Sequence, residues 1–400
     1  MFSHVLKRSS PFIKRPYAPL KTTTAISRWI TYDITSDTAT QPTDAMFDSM
    51  KTASKADDVF GMDETTNELE QRVAHLLGHE AGLFCASGSM TNQLGLRVSL
   101  FQPPHSVLVD VRSHVNLYEC GGLAYHSQAS MTAVNPVGQH LSVADIEQGA
   151  IQDDLCGALT RVVSVENTLN GTIMPLTQLE AVREHSLVQG YKLHMDGARI
   201  WEASAATGVP LAAYGGLCDT VSVCLSKGLG APIGSMLVSD KATIRRARHL
   251  RKLMGGGWRQ SGGLAAAGLY CLDHVLPTMR DTQLRTLRLW QGLQRLGMDA
   301  VLPVETNMIF IDTRGIISLR AWAQHLLDHA NVRIDSSDDR VARLVMHYQV
   351  PENVVDRILD LTQEFVKLHG KSPVKQASDS LPADNQGVKL AYPSNNNNST

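Results

Sequence analysis

"SVCLSKGLGAPIGS", residues 222–235, sets a single lysine, Lys227, between an apolar run and a glycine-rich turn. The overlapping stretch "DTVSVCL" (219–225) is β-branched and nearly free of charge, the composition of a strand buried on both faces of a parallel sheet. Lys227 therefore leaves the sheet at a strand end, where open α/β sheets bind ligands. A lysine beside a turn ordinarily keeps its ammonium in water. One that is partly desolvated at a strand end has its pKa lowered and becomes an amine nucleophile, the property a Schiff base requires.

The whole chain has 400 residues, 43% hydrophobic and 19% charged, which describes a soluble globular protein with room for two domains. A net charge of -2 gives no electrostatic reason to expect nucleic acid or an anionic membrane as a partner. The six cysteines (Cys85, Cys120, Cys156, Cys218, Cys224 and Cys271) show no CxxC spacing, so reduced thiols are expected rather than a disulfide frame or a metal site. Residues 1–30 carry Lys7, Arg8, Lys14, Arg15, Lys21 and Arg28 and no carboxylate. That composition predicts a mitochondrial transit peptide, with a plain basic arm on a cytoplasmic protein as the alternative. Residues 371–400 are polar, end in an asparagine run and read as a disordered tail.

Between these ends, a large domain is expected over 31–277, where helical and strand patterns alternate as in βαβ units with a mostly parallel sheet. Its strands are read at 106–111, 161–165, 192–196, 220–225 and 234–239, with helices at 64–78, 89–101 and 176–189. From 278 to 370 the pattern changes to a long amphipathic helix, short strands "NMIFID" and "ARLVMHY" and a closing helix, a smaller α+β domain.

Asp196 ends another strand in "LHMDGARIW", one strand–helix–strand unit before Lys227, so the two can face one pocket. An aspartate before glycine is often only a helix cap. Paired with the lysine it gains a chemical task, because pyridoxal phosphate stores an electron pair only while its ring nitrogen is protonated, and a buried carboxylate holds that proton. In "CASGSMTNQ", Gly88 and Ser89 open a helix whose N–H groups favour a phosphate. His114, in the turn "RSHVNLYECGG", is either an imidazole stacked on the ring or a satisfied structural histidine. Lys252 and Arg259 flank three glycines in "RKLMGGGWRQSGG", a solvated loop or one that reaches a phosphate across a subunit boundary.

Together "TSDTATQPTDAM", "CASGSMTNQ", "VENTLNG", "HMDGARIW", "CLSKGLGAPIGS" and "GGGWRQSG" resemble, in order and spacing, the threonine aldolases over residues 32–368. These are pyridoxal-phosphate enzymes of the α/β, aspartate-aminotransferase-like fold. The resemblance implies that Lys227 is the Schiff-base lysine, Asp196 the partner of the pyridine nitrogen and His114 the stacking histidine. Gly88 and Ser89 then cradle the phosphate, with Lys252 and Arg259 approaching from a neighbouring subunit. Ser36, Arg199 and Arg343 match groups that hold the substrate carboxylate, Arg199 lying close to the cofactor as well. The family works as homodimers or homotetramers with interfacial sites, and cleaves threonine to glycine and acetaldehyde.

Departures gather on the substrate side. Phe60 stands where tyrosine is usual, Cys156 where many members have a histidine near the substrate hydroxyl, Thr35 where an arginine is common, and Leu169 where bacterial members often carry a second histidine. A pocket with fewer partners for a β-hydroxyl discriminates less in its favour. Two other readings therefore stand beside the aldolase. One is an alanine racemase of the same family, in which Lys227 serves one face of the ring and His114 or Cys156 the other. The other is a binding subunit that has lost catalysis.

Overall fold

The computed structural model describes residues 30–152 and 155–372. The expected leader and tail lie, apart from residues 30, 371 and 372, outside the described residues. Among those described, the strands are β1 (Tyr32–Asp33), β2 (Ala81–Cys85), β3 (Ser106–Asp110), β4 (Ser130–Val134), β5 (Thr160–Glu166), β6 (Lys192–Asp196), β7 (Thr220–Cys224), β8 (Ser235–Ser239), β9 (Asp299–Ala300), β10 (Met308–Asp312), β11 (Val332–Arg333) and β12 (Val341–Val345).

Seven of them form one sheet in the order β2-β8-β7-β6-β5-β3-β4. Only β8 is reversed, antiparallel to β7 on one side and β2 on the other, while the remaining pairs are parallel. The other six strands therefore end on one edge, and that edge collects the side chains and helix starts that follow them. Both faces are covered. Val107 and Val109 of β3 enter one core with Leu96, Leu100 and Leu123, whereas the intervening Leu108 enters the other with Val163, Leu179 and Leu193. The short β2 and β4 were not anticipated: "AGLFC" has little β-branched content, and β4 is a half-exposed edge strand.

The second unit is built on the antiparallel sheet β12-β10-β9. Trp322, Leu326, Ile358 and Phe365 of the helices Leu319–Ala330 and Glu352–His369 fill its core. Trp322 Nε1 donates to Thr362 Oγ1 at 2.9 Å, which satisfies the one polar atom of that buried ring. The helix Met279–Arg295 spans both units, with Met279 in the large core and Leu289 and Leu293 in the small one.

The N-terminal boundary differs from the expected one at residue 31. Strand β1 pairs in parallel with β11, and the fully buried Ile34 belongs to the small unit's core, where its carbonyl accepts the Val345 N–H at 2.8 Å. A two-residue strand carries no periodicity by which the sequence could reveal this. Its consequence is that Ser36 and Asp37 enter the cleft from the small unit.

Gly234 leads into β8 with φ +106, and a Cβ there would stand 2.4 Å from the Phe84 ring and 3.0 Å from the Cys85 carbonyl. Gly234→Ala is expected to lower stability by about 2–4 kcal/mol, from backbone strain plus overpacking. A urea-unfolding midpoint equal to that of the parent would refute the close approach.

Candidate active site

The turn after β7 holds Lys227 in place: its carbonyl accepts the Gly230 N–H at 2.7 Å, and the Ala231 N–H returns to the Leu225 carbonyl at 3.0 Å. The lysine is half-buried. Asp196 closes β6, and Glu166 closes β5 directly across from it in the parallel register. Glu166 Oε2 accepts the His114 backbone N–H at 2.8 Å. Burial and the neighbouring Asp196 push the Glu166 carboxyl up to about 8, against the lowering influence of His114 and Lys227.

Asp196 is 3% exposed and doubly anchored, Oδ1 by the Ala198 N–H at 3.0 Å and Oδ2 by Asn92 Nδ2 at 2.7 Å. The same Asn92 nitrogen donates to Glu119 Oε1 at 2.8 Å, and Gln93 Nε2 donates to Glu119 Oε2 at 2.6 Å. Glu119 Oε1 in turn accepts from His114 Nδ1 at 2.8 Å. Burial alone would lower the His114 pKa, but the hydrogen bond to Glu119 and the charges of Asp196 and Glu166 outweigh it and raise the imidazole above its ordinary value. The array is compact, with acid and imidazole atoms of His114, Glu119 and Asp196 all within 4.8 Å of one another.

The helix Gly88–Arg97 begins at the same edge. Ser87 caps it by accepting the Met90 N–H at 3.2 Å, which leaves the N–H groups of Gly88 and Ser89 at a helix start without intrahelical acceptors. A Cβ at Gly88 would lie 2.9 Å from Cys224 Sγ, so glycine lets the helix start against the end of β7.

Arg199 follows Asp196 by one short turn, at the start of the helix Ile200–Thr207. Its fork is turned onto the small unit's Asp37, with Nε to Oδ2 at 2.8 Å and Nη2 to Oδ1 at 2.6 Å. Burial would raise the Asp37 carboxyl, yet Arg199, with help from Lys227 and Asn307, holds it at about 2. Two of the guanidinium nitrogens are thereby committed to a protein carboxylate. Ser36 and Arg343 do come together: Arg343 Nη2 donates to the Thr35 carbonyl at 3.2 Å, and the adjacent Ser36 is 4% exposed, its Oγ accepting the Thr38 N–H at 3.2 Å.

The remaining expected residues lie on the surface. Lys252 is exposed near the end of the helix Lys241–Leu253, and Arg259 is paired with Asp57 at 2.8 Å. Their loop is held beside β2 by Trp258, whose ring meets Phe84 edge-on at 4.9 Å. Phe60 is 74% exposed on a short turn, and Cys156 is exposed on the loop before β5. Sequence reading had missed Asn92, Glu119, Glu166 and Asp37. Glu166 carried the same signal as Asp196, a carboxylate closing an apolar strand.

The beta-eliminating lyase family matches residues 33–315. The low-specificity L-threonine aldolase of Candida albicans is 38% identical over 349 residues, 85% of this chain and 91% of that protein. The low specificity L-threonine aldolase of Saccharomyces cerevisiae is 39% identical over 341 residues, 83% of this chain and 86% of that protein. In three dimensions a Leishmania major threonine aldolase superposes with a TM-score of 0.72 at 20% identity, covering 84% of this chain and 99% of that one. This is the aspartate-aminotransferase-like fold that the sequence implied.

Beneath the Asp37–Arg199 pair lies Glu202, 2% exposed, whose carboxylate accepts from Gln283 Nε2 at 3.1 Å. Burial raises its carboxyl to about 7, opposed by the Gln283 hydrogen bond and assisted by Asp37. The folded value exceeds the unfolded one of 4.5, so folding favours the protonated form, and stability falls as pH climbs from about 4.5 to about 7. Glu202→Gln removes that loss. Its stability relative to the parent should grow across this window to about 3 kcal/mol at pH 8 and vanish near pH 4. Urea unfolding at the two pH values checks this; a pH-independent difference would contradict it.

Proposed function

The chain belongs to the beta-eliminating lyases and, within them, to the threonine aldolase family; from that premise we propose that it cleaves L-threonine and L-allo-threonine to glycine and acetaldehyde with pyridoxal phosphate. The observation that carries this reading is the meeting at one sheet edge of Lys227, the buried acidic array around Asp196, and the helix start at Gly88 and Ser89. These residues fit the cofactor. An acidic cluster satisfied mainly by neutral amides suits a cationic ring, and the helix start that only a glycine permits suits a phosphate.

When bound, pyridoxal phosphate supplies an electrophilic carbon and a protonated ring that takes up the electron pair left by Cα–Cβ cleavage. Asp196, fixed by Ala198 and Asn92, would hold the ring N–H proton. Lys227 provides the amine at the other end of the site and carries protons on Nζ. Arg343, tethered by the Thr35 carbonyl, and the adjacent Ser36 would grip the substrate carboxylate, a fork-and-carboxylate match that sets which bond at Cα is aligned for cleavage. Arg199, engaged by Asp37, acts chiefly to position this wall. His114 keeps Nδ1 against Glu119, so Nε2 is the ring atom for taking the β-hydroxyl proton, directly or through a water. One proton leaves the hydroxyl and one arrives at Cα, so the reaction needs no net proton supply.

The racemase reading needs a second proton carrier on the opposite face of the ring. Cys156, one candidate, stands on an exposed loop, and the names of the fungal relatives favour the aldolase. The proposal extends to a homodimer or homotetramer in which Lys252 and Arg259 reach a neighbouring subunit's phosphate. The exposed apolar surface of Phe60, Met62 and Tyr125 supports it. The acid-free basic stretch at 1–30 supports a mitochondrial destination.

The test is a paired assay of the cofactor-loaded protein: L-threonine and L-allo-threonine followed for acetaldehyde and glycine, and L-alanine in heavy water followed for D-alanine. Aldehyde without D-alanine is expected. Lys227→Ala should lose the visible absorbance of bound cofactor and lower turnover by about a thousandfold or more. Rapid D-alanine formation without aldehyde, or full activity of Lys227→Ala, would overturn the assignment.

A further inference from the structure

Asn92 lies on the first helix of the site, makes no expected contact with substrate, and yet touches both arms of the acidic array. Its Nδ2 donates to Asp196 Oδ2 at 2.7 Å and to Glu119 Oε1 at 2.8 Å, while its Oδ1 faces His194 Nε2 at 3.1 Å. The direction of the amide is fixed from both sides. Turned over, its carbonyl oxygen would face two carboxylates. His194, fully enclosed, has its pKa depressed to about 4 by burial against the pull of Asp196, so it is neutral and carries one ring proton. Nε2 faces Asn92 Oδ1, an atom that only accepts, so the single ring proton lies on Nε2, and Nδ1 stands 2.8 Å from Thr220 Oγ1.

On the reading that this site holds pyridoxal phosphate, we propose that Asn92 is a positioning residue that locks the carboxylate for the ring nitrogen and the carboxylate for His114 into one unit through the two protons of a single amide. It acts through Asp196 and Glu119 and touches neither cofactor nor substrate. Residues 36 and 343, which would grip the substrate, lie on the small unit, so loss of Asn92 should spare substrate affinity and fall on cofactor retention and on kcat.

The experiment uses the holoenzyme and two variants of similar size. Asn92→Leu removes the donors; Asn92→Asp keeps the shape but replaces the donors with acceptors beside two carboxylates. Cofactor dissociation constants are read from visible absorbance on dilution, and kcat and KM for threonine are measured alongside. Both variants should bind pyridoxal phosphate about tenfold to a hundredfold more weakly, as expected for losing charge-assisted hydrogen bonds. At saturating cofactor, kcat should fall by a similar factor with KM within about twofold. Asn92→Asp should be no better than Asn92→Leu. If Asn92→Asp instead restores parental cofactor affinity and kcat, shape alone matters and the proposal fails. It fails equally if both variants match the parent. A parent protein that neither takes up the cofactor nor cleaves threonine would refute the functional reading instead, a result separate from any ranking of the variants.

Discussion

Burial of three carboxylates at one sheet edge is the constraint to which the rest of the site answers. Parallel pairing of β5 with β6 sets Glu166 across from Asp196, and the helix that starts at His114 brings Glu119 to the same place. Buried charges without partners are too costly to persist. Two unit charges 4.8 Å apart, the outer limit for Glu119 and Asp196, repel by about 3–4 kcal/mol at an effective dielectric of about 20. Two hydrogen bonds from Asn92, at about 1.5–3 kcal/mol each, are of the size that offsets this. The third carboxylate is relieved differently: burial and Asp196 raise the Glu166 carboxyl and so favour its protonated form, and its Oε2 accepts the His114 backbone N–H at 2.8 Å.

The donors recruited for this are chiefly neutral amides and backbone N–H groups. Arg199 holds Asp37 in its fork, and that pair is itself a link between the two units of the chain. The edge therefore remains acidic and is electrostatically incomplete in the sense that a protonated ring would complete. The small unit contributes in turn. Strand β1 is held to β11, which carries Ser36 and Asp37 to the mouth of the edge, and β12 carries Arg343 to the Thr35 carbonyl. On the proposed reading, substrate grip and ring chemistry would come from opposite sides of one cleft.

How far the sequence disclosed this depends on the kind of signal each residue leaves. Lys227 was readable because it follows an apolar β-branched run and Asp196 because it ends a short strand one strand–helix–strand unit before it, and the helices 176–189 and 352–369 run as their patterns indicated. Asn92, Gln93 and Glu119 leave no such mark. They sit in polar stretches at no diagnostic spacing, and their partners are assigned only by strand register and by the angle at which a helix meets the sheet. Arg199 shows the opposite limit. Its position beside Asp196 was legible, but the direction of its fork was decided by Asp37, far away in sequence on a three-residue helical turn too short to show a pattern.

The departures on the substrate side acquire a physical meaning from the same array. Leu169, 3% exposed, lines a small cavity with Leu141, Val165 and Met174 and with the polar Asp110, His140 and Glu166. An imidazole at that position could donate to the Glu166 carboxylate and favour its ionisation; a leucine offers only aliphatic surface, and burial is the leading cause of the raised Glu166 pKa. On the proposed reading, Leu169 would withhold a polar partner from a β-hydroxyl, and a pocket with fewer such partners discriminates less between epimers at that carbon.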